Sequence, residues 1–404
     1  MRVRHIASLV LLTVCVACTS GPSPTARTST SSASGSASSQ GTTTAPSRSS
    51  SSSPPVEGKD LAAARAALAK MSPSQEVAQL LLTATSSQGA SSALLNLLRR
   101  GEVGSVILNE HSFLGRTATR HIVDQLQAAV PGGTPRLFVS TDQEGGVVQD
   151  LNGPGFDTIP SQFQQGQMSV ALLRQRAERW GRQLKAAGIN LALGPVLDTV
   201  PGPAAARANP PIGQLDREFG YTPAVVASHG VAIVRAISAA GVYATAKHFP
   251  GLGRVSGNTD LTAGVTDTQT TATDPYLAPF EAAIRAGIPF VMMSTAIYTR
   301  IDPTNPAAFS HRVVTTLLRG QLGFHGVVIS DDVGGAAQVA SIPVGQRAVR
   351  FVAAGGDVVL TVDPAQIPVM RAALLMAMKQ PAFARLVDAA ALRVLIAKAR
   401  RGLL

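Results

Sequence analysis

The chain has 404 residues, 45 % of them hydrophobic and 15 % charged, so it can bury a sizeable core and is not globally disordered. The formal net charge is +11, from 35 Lys plus Arg against 24 Asp plus Glu. The basic residues form no Lys/Arg-rich run and aromatics make up only 4 %, which excludes nucleic acid as a partner.

At the N-terminus, Arg2 and Arg4 precede an apolar run from Ile6 to Ala17. It is too short to span a bilayer and right for the core of a signal peptide, here residues 1–17. The run ends Val16-Ala17-Cys18, a small residue before a cysteine, which resembles a lipoprotein signal. That implies cleavage before Cys18, acylation of its thiol, export, and a lipid anchor on the outer face of the cell membrane. A plain secretory signal with unused cysteines is the alternative. Residues 18–57 are almost entirely Ser, Thr, Pro, Gly and Ala after the cysteine and read as a disordered tether. Removing residues 1–57 takes away Arg2, Arg4, Arg27, Arg48 and Glu57, which leaves +8 on residues 58–404.

From there the pattern alternates. Helices are predicted at 60–71, 91–100, 118–130, 169–187, 223–239, 276–286, 312–321, 344–354 and 367–378. Between them lie apolar runs at Val103–Leu108, Leu137–Ser140, Ile189–Val196, Val242–Ala246, Phe290–Met293, Val327–Ser330 and Val358–Leu360. These runs lack clean alternation, as strands buried on both faces do. Strand alternating with helix predicts a parallel sheet, and seven or eight such units fit an α/β fold of the single (β/α)8 TIM barrel type. A doubly wound open sheet is the alternative, but its glycine-rich phosphate fingerprints are missing in register.

The polar residues favour the barrel. Thr141-Asp142-Gln143-Glu144, Asp198, Lys247-His248, Ser294-Thr295 and Asp331-Asp332 each follow an apolar run. In a parallel barrel those ends converge on one face, the one that hosts active sites. A structural ion pair would account for any one of them, less readily for all five. The set has a single histidine and no HExxH or paired Cys/His spacing, so nothing calls for a metal or an organic cofactor. There is no GxSxG elbow for a serine nucleophile. Paired carboxylates with cations suit glycoside hydrolysis.

Four ordered segments carry a specific resemblance. They are Asp142-Gln143-Glu144-Gly145-Gly146, Gly188-Ile189-Asn190 through Asp198, Lys247-His248-Phe249-Pro250-Gly251-Leu252-Gly253, and Phe324-His325-Gly326 through Asp332. They resemble the DQEGG, GINxxxxPVxD, KHFPGHG and GFxGxxxSDD motifs of glycoside hydrolase family 3, in its single-domain β-N-acetylglucosaminidase branch. Order and spacing agree from about residue 70 to 365.

The resemblance implies that Asp331 is the nucleophile of a retaining exo-β-N-acetylglucosaminidase acting on peptidoglycan-derived or related envelope glycans. It implies substrate-binding roles for Asp142, Arg217, Lys247 and His248. Asp332 is expected to cap the N-terminus of the next helix. Another exo-β-glycosidase, or a glycan-binding lipoprotein without catalysis, are the competing readings.

Only 73 residues follow Asp331, so the acid/base must come from a barrel loop. The branch uses a histidine in an Asp-Ser-His triplet, which here reads Asn258-Thr259-Asp260. We therefore read Asp260 as the acid/base with Asn258 orienting it, and Asp267 or Glu144 as the alternatives. The family's GGRVxR reads Gly145-Gly146-Val147-Val148-Gln149-Asp150, so two arginines are replaced. Leu252 and Thr295 stand where histidines are usual.

Overall fold

A computed structural model describes residues 58–404. The expected signal segment, Cys18 and the tether lie outside the described residues.

Eight parallel strands form the sheet: β1 (Leu81–Ser86), β2 (Ser105–Asn109), β3 (Phe138–Thr141), β4 (Leu191–Ala192), β5 (Thr245–Phe249), β6 (Phe290–Met293), β7 (Val327–Asp332) and β8 (Val358–Thr361). They pair in the order β4-β3-β2-β1-β8-β7-β6-β5. The first strand pairs with the last, Leu82 opposite Leu360. The ring closes between β4 and β5 through single bridges, Leu191 with Tyr243 and Val196 with Lys247. This is the expected barrel, and helices cover its outside.

Two layers of core explain the uninterrupted apolar strands. Leu82, Ala84, Ile107, Phe138, Leu191, Phe290, Met292, Ile329 and Leu360 fill the inside of the barrel. Their neighbours in sequence, such as Leu81, Val106, Val139, Val291 and Val328, pack outward against the helices. Both faces are therefore dry, and a strand with no wet face shows no polar alternation. The helices begin where short polar side chains satisfy their free N–H groups. Ser91 Oγ accepts from Leu94 N at 3.2 Å, and Thr222 precedes Pro223 at the start of the helix Pro223–Ala239.

β1 and the final helix are among the elements that escape the sequence pattern. β1 has three leucines at its entry (Leu80–Leu82) but then Thr83-Ala84-Thr85-Ser86, too polar at its end to read as an apolar run. The final helix, Pro381–Ala399, is apolar on much of its circumference and has weak periodicity. It is buried because its C-terminal end stoppers the barrel floor. Ala397 O accepts from Tyr243 Oη at 3.1 Å, Lys398 Nζ donates to Gly104 O at 2.9 Å, and Leu403 O accepts from Arg136 N at 2.7 Å. Those partners precede β5, β2 and β3, so the helix ties together the starts of three strands. Phe138, Tyr243 and Phe290 sit above it with ring centroids 5.4–6.2 Å apart. The run at 189–196 forms only the short β4, and its second half meets β5 through separate backbone bonds, Thr245 N to Gly194 O at 2.9 Å and Leu197 N to Lys247 O at 2.6 Å. Among the described residues no helix is long and apolar enough to cross a membrane.

Candidate active site

The strand ends at the open face carry the polar residues, and two of them are bulged. Between β5 and β6, Ala246 faces Val291 while Phe249 faces Met293, so three steps on one strand match two on the other. Between β7 and β8 the same happens from Ile329 to Asp332 against Val358 to Leu360. A bulge breaks the alternation that would send neighbouring side chains to opposite faces. It lets adjacent Lys247 and His248 both meet partners on the rim, and it turns the Ser330-Asp331-Asp332 end of β7. Ser330 Oγ takes over the lost ladder position, accepting from Leu360 N at 2.9 Å.

Asp142 leaves β3 and enters a tight hairpin, Gln143–Gln149. Its turn needs Gly145 (φ 107°), where a Cβ would lie 2.2 Å from Pro160 O. The hairpin folds Glu144 inward, where it is fully enclosed. Glu144 receives Arg217 through two parallel bonds, Nε at 2.8 Å and Nη2 at 2.7 Å, and Lys247 Nζ lies 2.7 Å from the same carboxylate. Lys247 Nζ also contacts Asp142 Oδ1 closely. Burial alone would raise the Glu144 pKa, but the charges and hydrogen bonds of Arg217 and Lys247 outweigh it and hold it at about 2. Glu144 is thus a fixed anion and no proton donor near neutrality.

Arg217 also reaches the main chain, Nη1 donating to Pro211 O at 2.8 Å. The resemblance implies that Arg217 helps hold the ligand; in the structure its fork pairs with Glu144, the carboxylate that also meets Lys247.

Asp198 organises His248. Asp198 Oδ2 lies 2.7 Å from His248 Nδ1, and Oδ1 accepts the backbone N–H of His248 at 3.1 Å and of Leu252 at 2.8 Å. With Nδ1 engaged, Nε2 is the ring nitrogen left to meet a ligand. The sequence marked Asp198 as one of the clustered carboxylates and gave it no role; a pairing across 50 residues leaves no local signal.

The two adjacent aspartates of β7 have different fates. Asp332 is held by three backbone N–H groups, Gly334 at 2.9 Å, Gly335 at 3.1 Å and Val362 at 3.2 Å. It thus caps the turn after β7, whereas the next α-helix, whose N-terminus it was expected to cap, starts only at Val344. Among the described residues Asp331 accepts only from Asp332 N at 3.0 Å, which leaves most of its lone pairs unused.

Asp260 lies in the loop after β5 and is exposed at the open face. Protein packed around its carboxyl, then the negative charge of Asp331, push its pKa up to about 6, against relief from His248 and Arg217. Asn258 was expected to orient this carboxyl. Its side-chain oxygen instead accepts the Asp260 backbone N–H at 2.9 Å, so it shapes the turn and leaves the carboxyl free. Asp267 is buried and capped by Gln269 N at 2.7 Å, Thr270 N at 2.8 Å and Thr270 Oγ1 at 2.7 Å, a loop-holding role.

Asp150, one of the two positions where arginine was expected, is enclosed beside Asp142, and its Oδ2 has no hydrogen-bond partner among the described residues. Burial first, then the Asp142 charge, pushes its pKa up to about 8.

The arrangement offers an unencumbered carboxylate, a second carboxyl poised to carry a proton, and a fixed grid of Lys247, His248 and Asp142 for hydroxyl and amide groups. Comparison with known proteins agrees. The glycosyl hydrolase family 3 N-terminal domain matches residues 74–397. A β-hexosaminidase of Xanthomonas axonopodis pv. citri is 36% identical over 284 residues, 66% of this chain and 78% of that protein. The β-N-acetylhexosaminidase structure of Beutenbergia cavernae superposes with a TM-score of 0.80 at 49% identity, covering 82% of this chain and 99% of that one. A family 3 β-N-acetylglucosaminidase from Paenibacillus sp. FPU-7 has a TM-score of 0.76 at 31% identity, covering 82% of this chain and 63% of the other.

Proposed function

Because this chain belongs to glycosyl hydrolase family 3, we propose that it is a retaining exo-β-N-acetylglucosaminidase in which Asp331 is the nucleophile and Asp260 the acid/base. The contrast between Asp331 and Asp332 carries this reading. Of two neighbouring carboxylates, one is tied up by backbone donors and the other is left with a single bond.

In the first step an Asp331 oxygen attacks the anomeric carbon as the glycosidic bond breaks, and the leaving oxygen takes the proton of the Asp260 carboxyl. The products are the freed alcohol, a covalent glycosyl ester on Asp331 and an Asp260 carboxylate. Esterification removes the Asp331 charge that had raised the Asp260 pKa, so Asp260 becomes a weaker acid-form holder just when a base is needed. Water then attacks the same carbon, Asp260 takes its proton, and Asp331 departs as a carboxylate. Two inversions give retention. Asp142, Lys247 and the free Nε2 of His248 hold hydroxyl and acetamido groups of the terminal sugar, and Arg217 keeps that grid rigid through Glu144.

The sugar chains are peptidoglycan-derived or related envelope glycans, reached by a protein exported and held to the membrane through Cys18. The lipoprotein-like end of the apolar run supports that location.

The test is hydrolysis of aryl β-N-acetylglucosaminides with a fluoro-sugar trap. Turnover by wild type, its loss in Asp331→Asn, and labelling of Asp331 are expected. Inactivity of purified wild type on all aryl glycosides, or a label elsewhere, overturns the reading. Cys18→Ala is expected to release the protein from membranes; continued association counts against the anchor.

A further inference from the structure

The loop that carries Asp260 is fastened to the turn that follows the nucleophile strand. Gln338, in that turn, is buried and clasps the main chain of Val265 with both ends of its amide. Its Oε1 accepts from Val265 N at 2.8 Å and its Nε2 donates to Val265 O at 3.0 Å. Two backbone bonds lie alongside: Gln338 N donates to Thr259 O at 3.0 Å and Ala337 N to Asp260 O at 3.2 Å. The Asp260 peptide is therefore held from both sides, its N–H by Asn258 and its C=O by Ala337.

The far end of this strap is equally fixed. Asp332 carries Gly334 and Gly335 on its carboxylate and accepts Ala336 N at 3.3 Å on its backbone oxygen. A continuous run of hydrogen bonds thus leads from Asp331-Asp332, through residues 334–338, to Thr259, Asp260 and Val265. The loop has no helix or strand of its own between Phe249 and Thr266. Its placement depends on such outside bonds.

We infer that Gln338 is a positioning residue that sets the Asp260 carboxyl against Asp331 by locking the acid/base loop onto the turn after the nucleophile. The inference rests on the reading of Asp260 as acid/base. Its physical basis is that a retaining pair works at one short separation, and that displacement by about 1 Å costs on the order of 10²-fold in rate. A side-chain amide that satisfies both backbone polar groups of one residue fixes that separation more tightly than a single bond. Gln338 touches no substrate in this account.

Loss of general-acid help shows only where the leaving group needs a proton. The experiment therefore compares kcat/KM for wild type, Gln338→Ala, Gln338→Glu and Asp260→Asn on two substrates. One is a 2,4-dinitrophenyl β-N-acetylglucosaminide, whose leaving group departs unaided; the other is a phenyl glycoside, whose leaving group does not. Gln338→Glu keeps the acceptor for Val265 N and loses the donor to Val265 O, and it guards against misfolding of the alanine variant. For both Gln338 variants we expect a loss of roughly 10-fold or more on the phenyl glycoside and less than about 3-fold on the dinitrophenyl one, in the same sense as Asp260→Asn. Equal losses on both substrates, or none, overturn the inference while the Asp260 reading stands. If Asp260→Asn itself shows no dependence on leaving group, the acid/base reading falls and the inference falls with it.

Discussion

Asp198 holds His248 at two points, the ring through Nδ1 at 2.7 Å and the backbone through N–H at 3.1 Å. Side chain and peptide are fixed by one carboxylate, so the ring cannot rotate without breaking the rim. Asp198→Ala leaves the N–H groups of His248 and Leu252 buried without acceptors, at about 1–3 kcal/mol each. We expect a lower Tm and a fall in kcat/KM of at least about 10-fold, with Asp198→Asn milder because its oxygen still serves the N–H groups. Thermal unfolding and steady-state rates check this, and unchanged values in both would refute it.

Glu144 is the anion on which two buried cations depend. Glu144→Gln leaves Arg217 and Lys247 undercompensated and is expected to cost about 3–5 kcal/mol. Arg217→Met added to Glu144→Gln removes one of the stranded charges, so the double variant should be more stable than the sum of the single effects predicts. Denaturant unfolding of the four proteins measures that coupling; additive losses would contradict it.

In the free enzyme Asp260 must carry its proton to act as an acid. Its pKa of about 6 therefore places the alkaline limb of kcat/KM near pH 6, with activity falling as pH rises through it. Asp260→Asn should flatten that limb in the activity that remains on a phenyl glycoside, whose leaving group needs the proton. A limb that persists in Asp260→Asn assigns it to another group.

Asp150 titrates at about 8 in the folded protein against an ordinary 3.8. Between those values the folded chain keeps a proton that the unfolded chain has released. Its contribution to stability is therefore complete at acid pH and is lost as pH rises toward and through 8. Asp150→Asn removes that loss, so the variant should gain Tm over wild type at pH 8 and gain little at pH 4. Equal gains at both pH values would show that the carboxyl is not buried in neutral form.

The barrel was legible in the sequence because its strands are dry on both faces and end in charged clusters, a combination that few other folds require. Lys247-His248 and Asp331-Asp332 were legible for the same reason: each sits where an apolar run stops. β1 was hidden by the threonines at its open end, and the final helix by an apolar surface that the barrel floor, remote in sequence, makes necessary. The partners that decide roles were hidden more deeply. Glu144 meets Arg217 across 73 residues, and Gln338 meets Val265 across the same distance. Such pairings follow from the closed ring, which brings together loops that the chain keeps apart. Asn258 misled because an amide two residues before a carboxyl looks like a side-chain partner, whereas that spacing suits an Asx turn to the backbone.

Because β1 pairs with β8 and the opening helix Lys59–Leu68 packs against the closing helix Pro381–Ala399, the ring of strands has no privileged starting point. The barrel is cyclic in its connectivity as well as in its shape. A circularly permuted chain, with those two helices joined and new ends opened at the exposed Gly132-Gly133 turn, retains every strand neighbour and every rim loop of the original order.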